Sequence, residues 1–364
     1  MEKKVATQII HKYLKKGNMA RCLRDILPSA GLSVQKRERV ADIVHSVVRW
    51  KTLYDHLILS RGLSVSAASY VDLAIAGAQA DASSFPFEIR YSCSPYVANL
   101  LKDHEDWAAY LNQTPPSTLC VNFNKSRQAD VIDMLRKENL PVERAVLQTA
   151  LFTTSASKYS KVIQQRLAHV QDETSQLVSF LSVSMGESIF DYCAGNGGKS
   201  LSMASMTKNK KTLYAYELNE TKRETLKRRC DEYDAHVSVV DDPSKNQYDV
   251  VLVDAPCTGL GAARRNPEVK YIDDAGSLPE TQHSILTHAA ETVKIGGMLF
   301  YAVCTITPEE TTQVIQSFLK NKPFTVCSWE DVTYAEYLLK NDYGAFTNLP
   351  RGDLFFLSIL KRDA

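Results

Sequence analysis

Two cysteines and an aspartate stand at the ends of two apolar segments in the second half of the chain. The segment "VVLVDAPC" ends in Asp254 and Cys257, and the segment "MLFYAVC" ends in Cys304. Short apolar runs of this kind predict buried β-strands, and the carboxyl ends of parallel strands meet at one edge of a sheet. We therefore expect the two thiols and the carboxylate to lie close together.

This set of groups suits covalent chemistry on a pyrimidine ring. Carbon 5 of cytosine is a poor nucleophile, but a thiolate that adds to carbon 6 converts the ring into an enamine, whose carbon 5 can take a methyl group. A proton from the Asp254 carboxyl to ring nitrogen 3 assists the addition, and a base must then remove the hydrogen at carbon 5. A P-loop enzyme or a dehydrogenase has no use for two cysteines at this position.

A glycine-rich segment, "FDYCAGNGGKS", covers residues 190–200. A phosphate-binding loop would need glycine in place of Cys193, and a dinucleotide fingerprint would need glycine at position 200, so both patterns fail by one residue. Gly195, Gly197 and Gly198 still allow a ligand to approach the backbone closely. Glu217, in "LYAYELN", can accept both ribose hydroxyls of an adenosine cofactor. The loop and Glu217 fit S-adenosylmethionine as well as NAD, and the two cysteines favour S-adenosylmethionine.

The elements around these residues predict an α/β fold. From about residue 174 onward, apolar strands alternate with helices of about 10 to 15 residues, a pattern typical of a mostly parallel, doubly wound, Rossmann-like sheet. Residues 86–173 contain a strand, a helix and an extended run, which predicts a ferredoxin-like, RRM-like subdomain. Residues 1–85 are predicted to be all-α, with a boundary in the small, polar stretch before Pro86. We therefore expect three domains, covering residues 1–85, 86–173 and 174–364.

The charge distribution is uneven. The chain has a net charge of +1, yet residues 1–60 contain 12 Lys and Arg against 5 Asp and Glu, a surplus of 7 positive charges. Such a segment suits a polyanion, although a lysine-rich helical surface explains it as well. Arg49, Trp50 and Lys51 could meet a phosphate backbone, or form a solvated face with a packed Trp. Arg264 and Arg265 are candidates for holding RNA or the neighbouring loop.

The spacing of the cysteines and the length of the apolar runs indicate the compartment and the absence of a metal site or membrane span. The 8 cysteines contain no C-x-x-C pair, so we predict no metal site and a reduced, cytoplasmic compartment. No apolar run approaches the ~18 residues that a membrane span requires.

Three motifs resemble those of the RNA (cytosine-5)-methyltransferases of the RsmB/NSUN type. "DYCAGNGGKS" is similar to the loop D-x-C-A-A-P-G-G-K-T, "DAPCTGLGAARRNPEVK" to D-A-P-C-S-G-x-G-x-x-R-R-x-P, and "YAVCTITPEE" to Y-x-T-C-S-x-x-P-E-E. The likeness covers nearly the whole chain. "SVVRWKTLYDHLI" resembles the NusB-like N-terminal helical domain of the ribosomal-RNA members, in a shortened form. Gly195 and Asn196 replace the Ala-Pro of the family loop.

The resemblance implies a role for each matching residue. Cys304 corresponds to the nucleophile, Cys257 to the residue that aids product release, and Asp254 to the group between the cofactor methyl and the base. Lys199 is expected to support the bound base or its charge. The cofactor site is expected to comprise Cys193, Ala194, Gly195, Asn196, Gly197, Gly198 and Lys199, Glu217 on the ribose, Asp254, and either Asp241 or Asp242 on the adenine.

The resemblance also implies RNA as the partner. The NusB-like helices favour ribosomal RNA, with transfer RNA as the alternative, and we expect a monomer. A DNA cytosine-5 methyltransferase would take its nucleophile from the Pro-Cys after the fourth strand, here Cys257, so the presence of Cys304 favours RNA. A non-catalytic RNA-binding scaffold is the other hypothesis. Lys199, Glu217, Asp254 and both cysteines argue against it.

Overall fold

The protein is described by a computed structural model that covers residues 1–77, 83–330 and 332–363. The described residues form two compact units, one of Met1–Pro115 with Ala262–Asp274 and one of Pro116–Gly261 with Ala275–Ala364. The predicted boundary between Ala74 and Phe85 lies partly outside the described residues, because 78–82 are not among them. The division into three domains, with limits after residues 85 and 173, stays a prediction.

The first unit is helical. Its helices are α1 (Glu2–Lys16), α2 (Met19–Ile26), α3 (Val34–Arg49), α4 (Lys51–Ser60), α5 (Ala67–Ile75), α6 (Phe87–Arg90), α7 (Pro95–Leu101) and α8 (Glu105–Leu111). The helical part therefore continues beyond residue 85. Helices α6 to α8 have 4 to 7 residues each and are too short to show the apolar periodicity that predicts a helix from sequence.

The long helix of the first unit buries one apolar face. Val40, Val44 and Val47 are fully buried, and α3 begins where the Ser33 side chain accepts a hydrogen bond from the Lys36 amide. The helix stops before Trp50, which separates α3 from α4. The expectation that Arg49 faces solvent or a phosphate backbone is wrong, because its side chain is buried within the unit and donates to the Arg264 carbonyl at 2.7 Å.

The second unit begins with a small antiparallel sheet. Its elements are β1 (Ser117–Val121), α9 (Gln128–Lys137), β2 (Glu143–Arg144), β3 (Ala150–Thr153), α10 (Lys161–Gln164) and β4 (Ala168–Val170). The strand order is β2-β3-β1-β4, with every neighbouring pair antiparallel. This β-α-β-β-α-β arrangement confirms the predicted ferredoxin-like subdomain.

A nine-stranded sheet with helices on both faces follows. Its parallel part consists of α11 (Glu173–Ser184), β5 (Ser188–Asp191), α12 (Gly198–Thr207), β6 (Thr212–Ala215), α13 (Glu220–Tyr233), β7 (Val237–Val239), β8 (Tyr248–Asp254), α14 (Leu278–Ala290) and β9 (Val293–Val303). The remainder is α15 (Thr312–Leu319), β10 (Phe324–Val326), β11 (Leu338–Asn341), β12 (Gly344–Thr347) and β13 (Phe356–Arg362). The Rossmann-like fold is confirmed, but β10 to β13 extend it antiparallel.

The strand order fixes where a ligand can bind. Eight strands follow the order β11-β12-β13-β9-β8-β5-β6-β7, and the ninth, β10, pairs with β13 outside this path. The chain starts at β5, proceeds to β6 and β7, and then returns to the other side of β5 with β8. The direction of winding therefore reverses between β5 and β8, and in open α/β sheets the ligand crevice lies beyond the carboxyl ends of the strands at this point. Asp191 ends β5 and Asp254 ends β8. Among the described residues, no helix is long and apolar enough to cross a membrane.

Candidate active site

The two predicted thiols meet at the carboxyl edge of the large sheet. The Sγ atoms of Cys257 and Cys304 are 3.4 Å apart. Neighbouring strands bring them together, because β8 and β9 are parallel and pair Asp254 with Ala302. The pKa of Cys257 lies well above its ordinary value, since the thiol is hydrogen-bonded to Cys304, is buried, and lies close to the carboxylate of Glu310. The Cys257 thiol is therefore harder to ionise than an ordinary cysteine.

Lys199 and Asp254 form an ion pair at the same edge. The Lys199 ammonium donates to Oδ2 of Asp254 at 2.5 Å and lies over the Phe355 ring, 5.5 Å from its centroid. Burial alone would lower the pKa of Lys199, but Asp254 outweighs burial and raises it, with a further contribution from Cys304. The side chain therefore holds a positive charge beside the thiol pair.

The glycine turn between β5 and α12 is shaped by two residues with positive φ. Gly195 has φ +56° and Gly197 has φ +85°, a conformation that strains other residues. A Cβ at Gly197 would also approach Cδ1 of Leu226 to 2.5 Å. The turn leads directly into α12, so its amides stand at a helix N-terminus, which favours negative charge. Cys193 is half-buried, Ala194 is buried and Asn196 is exposed.

Glu217 lies across this turn, two residues beyond β6. Its Oε2 accepts a hydrogen bond from the Gly195 amide at 2.9 Å, and its Oε1 accepts one from the Asn219 amide at 2.8 Å. These two contacts hold the Glu217 carboxylate beside the glycine turn. Glu217 is the residue expected from the sequence to accept hydrogen bonds from ribose hydroxyls. The structure thus brings Glu217 and the glycine turn together.

The two candidate aspartates after β7 differ in their contacts. Oδ1 of Asp242 accepts hydrogen bonds from the amide and the hydroxyl of Ser244, at 3.0 and 2.7 Å. Asp241 lies 3.5 Å from Nε of Arg223, whose Nη1 donates to the Glu217 carbonyl at 3.2 Å. Asp241 is therefore linked to the Glu217 end of the site, whereas Asp242 is engaged in its own turn.

Three further residues shape the site without having been predicted. Glu310 is fully buried and contacts the residues that follow both cysteines. Gly261 donates its amide to the Cys304 carbonyl at 3.0 Å, and a Cβ there would lie 1.9 Å from the Leu354 carbonyl oxygen. The Ser200 hydroxyl donates to Asp191 at 2.6 Å. All three stand inside the quoted motifs, but nothing in their spacing distinguishes them from structural residues.

Arg264, a candidate for holding RNA, occupies a different environment from the one expected. Its side chain is 2% exposed and lies over the Tyr110 ring, 4.2 Å from the centroid, within the first unit. A surface role for Arg264 is therefore wrong, because its guanidinium is packed inside the helical unit. Arg265 is half-buried in the same segment.

Comparison with known proteins places the chain in a family. The family described as 16S rRNA methyltransferase RsmB/F matches residues 178–361, about half of the chain and nearly all of the large sheet. The chain belongs to this family.

Curated relatives carry consistent names. A probable ribosomal RNA small subunit methyltransferase B of Bacillus subtilis (strain 168) is 34% identical over 224 residues, which cover 57% of this chain and 50% of that protein. Ribosomal RNA small subunit methyltransferase B of Vibrio cholerae is 28% identical over 254 residues, 64% of this chain and 58% of that protein. The chain thus matches about half the length of these relatives.

Solved structures confirm the fold. The crystal structure of PH0851 aligns over 100% of this chain and 99% of its own, with a TM-score of 0.79 and 22% identity. NSun6 from Pyrococcus horikoshii covers 74% of this chain and 97% of its own, with a TM-score of 0.63 and 16% identity. At these identities the likeness concerns the fold.

Proposed function

We propose that this protein transfers a methyl group from S-adenosylmethionine to carbon 5 of a cytosine in RNA, with ribosomal RNA as the favoured substrate. The observation that carries the proposal is the pair of sulfur atoms 3.4 Å apart beside the Lys199–Asp254 ion pair, at the edge where a doubly wound sheet binds its ligand. Membership of the RsmB/F family supports ribosomal RNA over transfer RNA. A cytoplasmic location and a monomeric state stay predictions.

The residues of the glycine turn fit an adenosine cofactor. The backbone of the turn is open to close approach at Gly195, where a Cβ would meet nothing within 4 Å, and Glu217 offers carboxylate oxygens to ribose hydroxyls. We assign the adenine contact to Asp241, because Asp242 accepts from Ser244 and Asp241 is linked through Arg223 to Glu217. S-adenosylmethionine, when bound, supplies an electrophilic sulfonium methyl group.

The chain's own groups account for the steps on the base. Cys304 adds as a thiolate to carbon 6 of cytosine, favoured by the nearby Lys199 ammonium and by the Cys257 thiol, whose sulfur lies 3.4 Å away and whose pKa is raised. The Lys199–Asp254 pair delivers a proton to ring nitrogen 3 as the carbon–sulfur bond forms. After methylation, the hydrogen of carbon 5 leaves as a proton to solvent and the carbon–sulfur bond breaks, which frees the thiolate of Cys304. The proton on ring nitrogen 3 then returns to the Lys199–Asp254 pair, which restores the neutral aromatic ring.

Separate alanine variants of the two cysteines test this assignment. With an unmodified small-subunit rRNA transcript and S-adenosylmethionine carrying a labelled methyl group, Cys304→Ala is expected to abolish incorporation. Cys257→Ala is expected to slow release and to accumulate a covalent protein–RNA adduct that survives denaturing electrophoresis. Cys327→Ala is the matched control, because this half-buried thiol contacts Met298 rather than the site.

The opposite result for the two alanine variants would exchange the roles of Cys304 and Cys257. An active Cys304→Ala variant, together with a Cys257→Ala variant that forms no adduct, would make Cys257 the nucleophile, as in the DNA enzymes. Absence of S-adenosylmethionine binding by calorimetry would favour the non-catalytic scaffold. A transfer RNA transcript assayed in parallel decides between the two RNA classes.

A further inference from the structure

A buried carboxylate lies directly behind the two thiols. Glu310 is fully buried and follows β9 in the turn that begins at Cys304 and ends where α15 starts. Its backbone carbonyl accepts a hydrogen bond from the Tyr301 hydroxyl at 2.7 Å. The residue is thus anchored to the strand that carries Cys304.

Each carboxylate oxygen of Glu310 accepts at least two hydrogen bonds. Oε1 accepts from the Thr258 amide at 2.8 Å and from Nε2 of Gln282 at 2.9 Å. Oε2 accepts from the Thr258 hydroxyl at 2.5 Å and from the Thr307 hydroxyl at 2.7 Å, with the Thr305 hydroxyl 3.3 Å away. These donors are neutral hydroxyl and amide groups.

Two of the residues that donate to Glu310 stand next to the two cysteines in the sequence. Thr258 immediately follows Cys257, and Thr305 immediately follows Cys304, so a single side chain joins the two loops that carry the thiols. The Thr258 and Thr305 hydroxyls also lie 2.8 Å from each other. The amide of Gln282 extends the network to the Pro256 carbonyl at 2.8 Å, on the other side of Cys257.

We propose that Glu310 is a positioning residue that holds the two thiols in contact and keeps the proton of Cys257 in place. This inference rests on the proposed function, which assigns roles to those thiols. Burying a carboxylate among neutral donors is costly compared with an apolar side chain, so a stabilising role alone explains its presence poorly. Because the Cys257 loop and the Cys304 loop both donate to the Glu310 carboxylate, the network restricts each loop to one conformation.

The charge of Glu310 supports the second part of the proposal. The pKa of Cys257 is raised by its hydrogen bond to Cys304 and by burial, and the negative charge of Glu310 and then that of Asp254 add to the rise. Lys199, with its positive charge, faces the site from α12. Glu310 therefore disfavours a thiolate at Cys257.

Glu310→Gln is the main test, because it replaces one acceptor oxygen by an NH₂ group that cannot accept from the surrounding donors. We expect kcat for methyl transfer to fall roughly 10- to 100-fold, while KM for RNA and for S-adenosylmethionine stays within twofold. The pH dependence of inactivation by iodoacetamide should shift to lower pH, because a negative charge beside the thiols is lost. Glu173→Gln is the matched control, a fully buried glutamate that accepts from the Leu147 amide at 2.9 Å.

A graded variant covers the case in which Glu310→Gln fails to fold. Thr258→Val removes one donor to Oε2 and keeps the amide donor to Oε1, so it should lower kcat in the same direction by a smaller factor. A folded Glu310→Gln or Thr258→Val with wild-type kcat would overturn the proposal, and so would an unshifted alkylation profile of Glu310→Gln. The alkylation profile needs no methyl transfer, so it tests Glu310 even if the wild-type protein methylates no RNA.

Discussion

Two buried lysines, one in each unit, have opposite electrostatic surroundings. Lys199, at the edge of the large sheet, donates to the Asp254 carboxylate, and its pKa is raised despite burial. Lys270, in the helical unit, donates only to neutral oxygens in the contacts described, the carbonyls of Arg49 and Tyr91 at 2.9 and 3.1 Å and Oδ1 of Asn112 at 2.5 Å. Burial and, to a smaller extent, Arg49 lower its pKa to about 7, although Cys93 opposes this.

The comparison shows that the partner, and not burial, decides whether a lysine keeps its charge. A carboxylate at hydrogen-bond distance offsets the desolvation of the ammonium, whereas carbonyl oxygens satisfy its hydrogen-bonding capacity without compensating the charge. Lys199 thus holds its proton at neutral pH. Lys270 joins a loop to α3, to α8 and to the turn after α6, which is a structural task.

The largest expected effect concerns the charged lysine. Lys199→Met should lower kcat for methyl transfer by roughly 100- to 10,000-fold, because the proton donor beside Asp254 is lost. Lys270→Met should leave kcat per folded molecule unchanged. Steady-state methylation of the rRNA transcript checks both, and equal losses in the two variants would show that the comparison between the lysines is wrong.

The second effect concerns stability. Lys270→Met leaves three acceptors without their donor and should reduce the free energy of unfolding at pH 7 by about 2–4 kcal/mol. Between the folded pKa of about 7 and the ordinary value of 10.5, the unfolded chain binds more protons than the folded one, so wild-type stability should rise with pH. The rise attributable to this group is at most about 1.4 kcal/mol per pH unit. Urea unfolding at pH 7, 8 and 9 should show this slope in the wild type and not in Lys270→Met.

The smallest effect concerns Asp191, a carboxylate buried near the ion pair. Burial raises the pKa of Asp191 to about 6, although the hydrogen bond from the Ser200 hydroxyl opposes the rise. Because the folded protein binds this proton more tightly than the unfolded chain, the contribution of Asp191 to stability falls as pH rises from 4 to 6. Asp191→Asn should increase the free energy of unfolding at pH 8 by about 1 kcal/mol. Asp249→Asn should act in the opposite sense, because the pKa of Asp249 is lowered by its hydrogen bond from Lys294 and its stabilising effect is present at neutral pH. Thermal unfolding of both variants at pH 8 tests the contrast.

The sequence was informative where side chains follow a strand. Asp254, Cys257 and Cys304 could be placed at one edge because parallel strands end on the same side of a sheet. The glycine turn could be recognised because positive φ restricts the residue type, and both Gly195 and Gly197 adopt it.

The residues that sequence reasoning missed act through distant contacts. Glu310 lies among neutral donors from three separate segments, and no periodicity records that Thr258 and Gln282 meet it. Arg49 was expected to meet a phosphate backbone or solvent, and Arg264 to hold RNA or the neighbouring loop. Charged residues are seldom buried, yet these two, 215 positions apart, are buried and join within the first unit. The antiparallel strands β10 to β12 are 3 or 4 residues long and carry no clear alternation.

Residues 262–274, which follow the Cys257 loop in the sequence, belong to the helical unit, whereas the segments before and after them belong to the second unit. This segment contains Lys270, whose hydrogen bonds join three parts of the helical unit. The helical unit is therefore assembled from two separate stretches of the gene. A chimaera that exchanged residues 1–115 alone would separate Lys270 from its acceptors, so domain swaps between relatives need to transplant both stretches together.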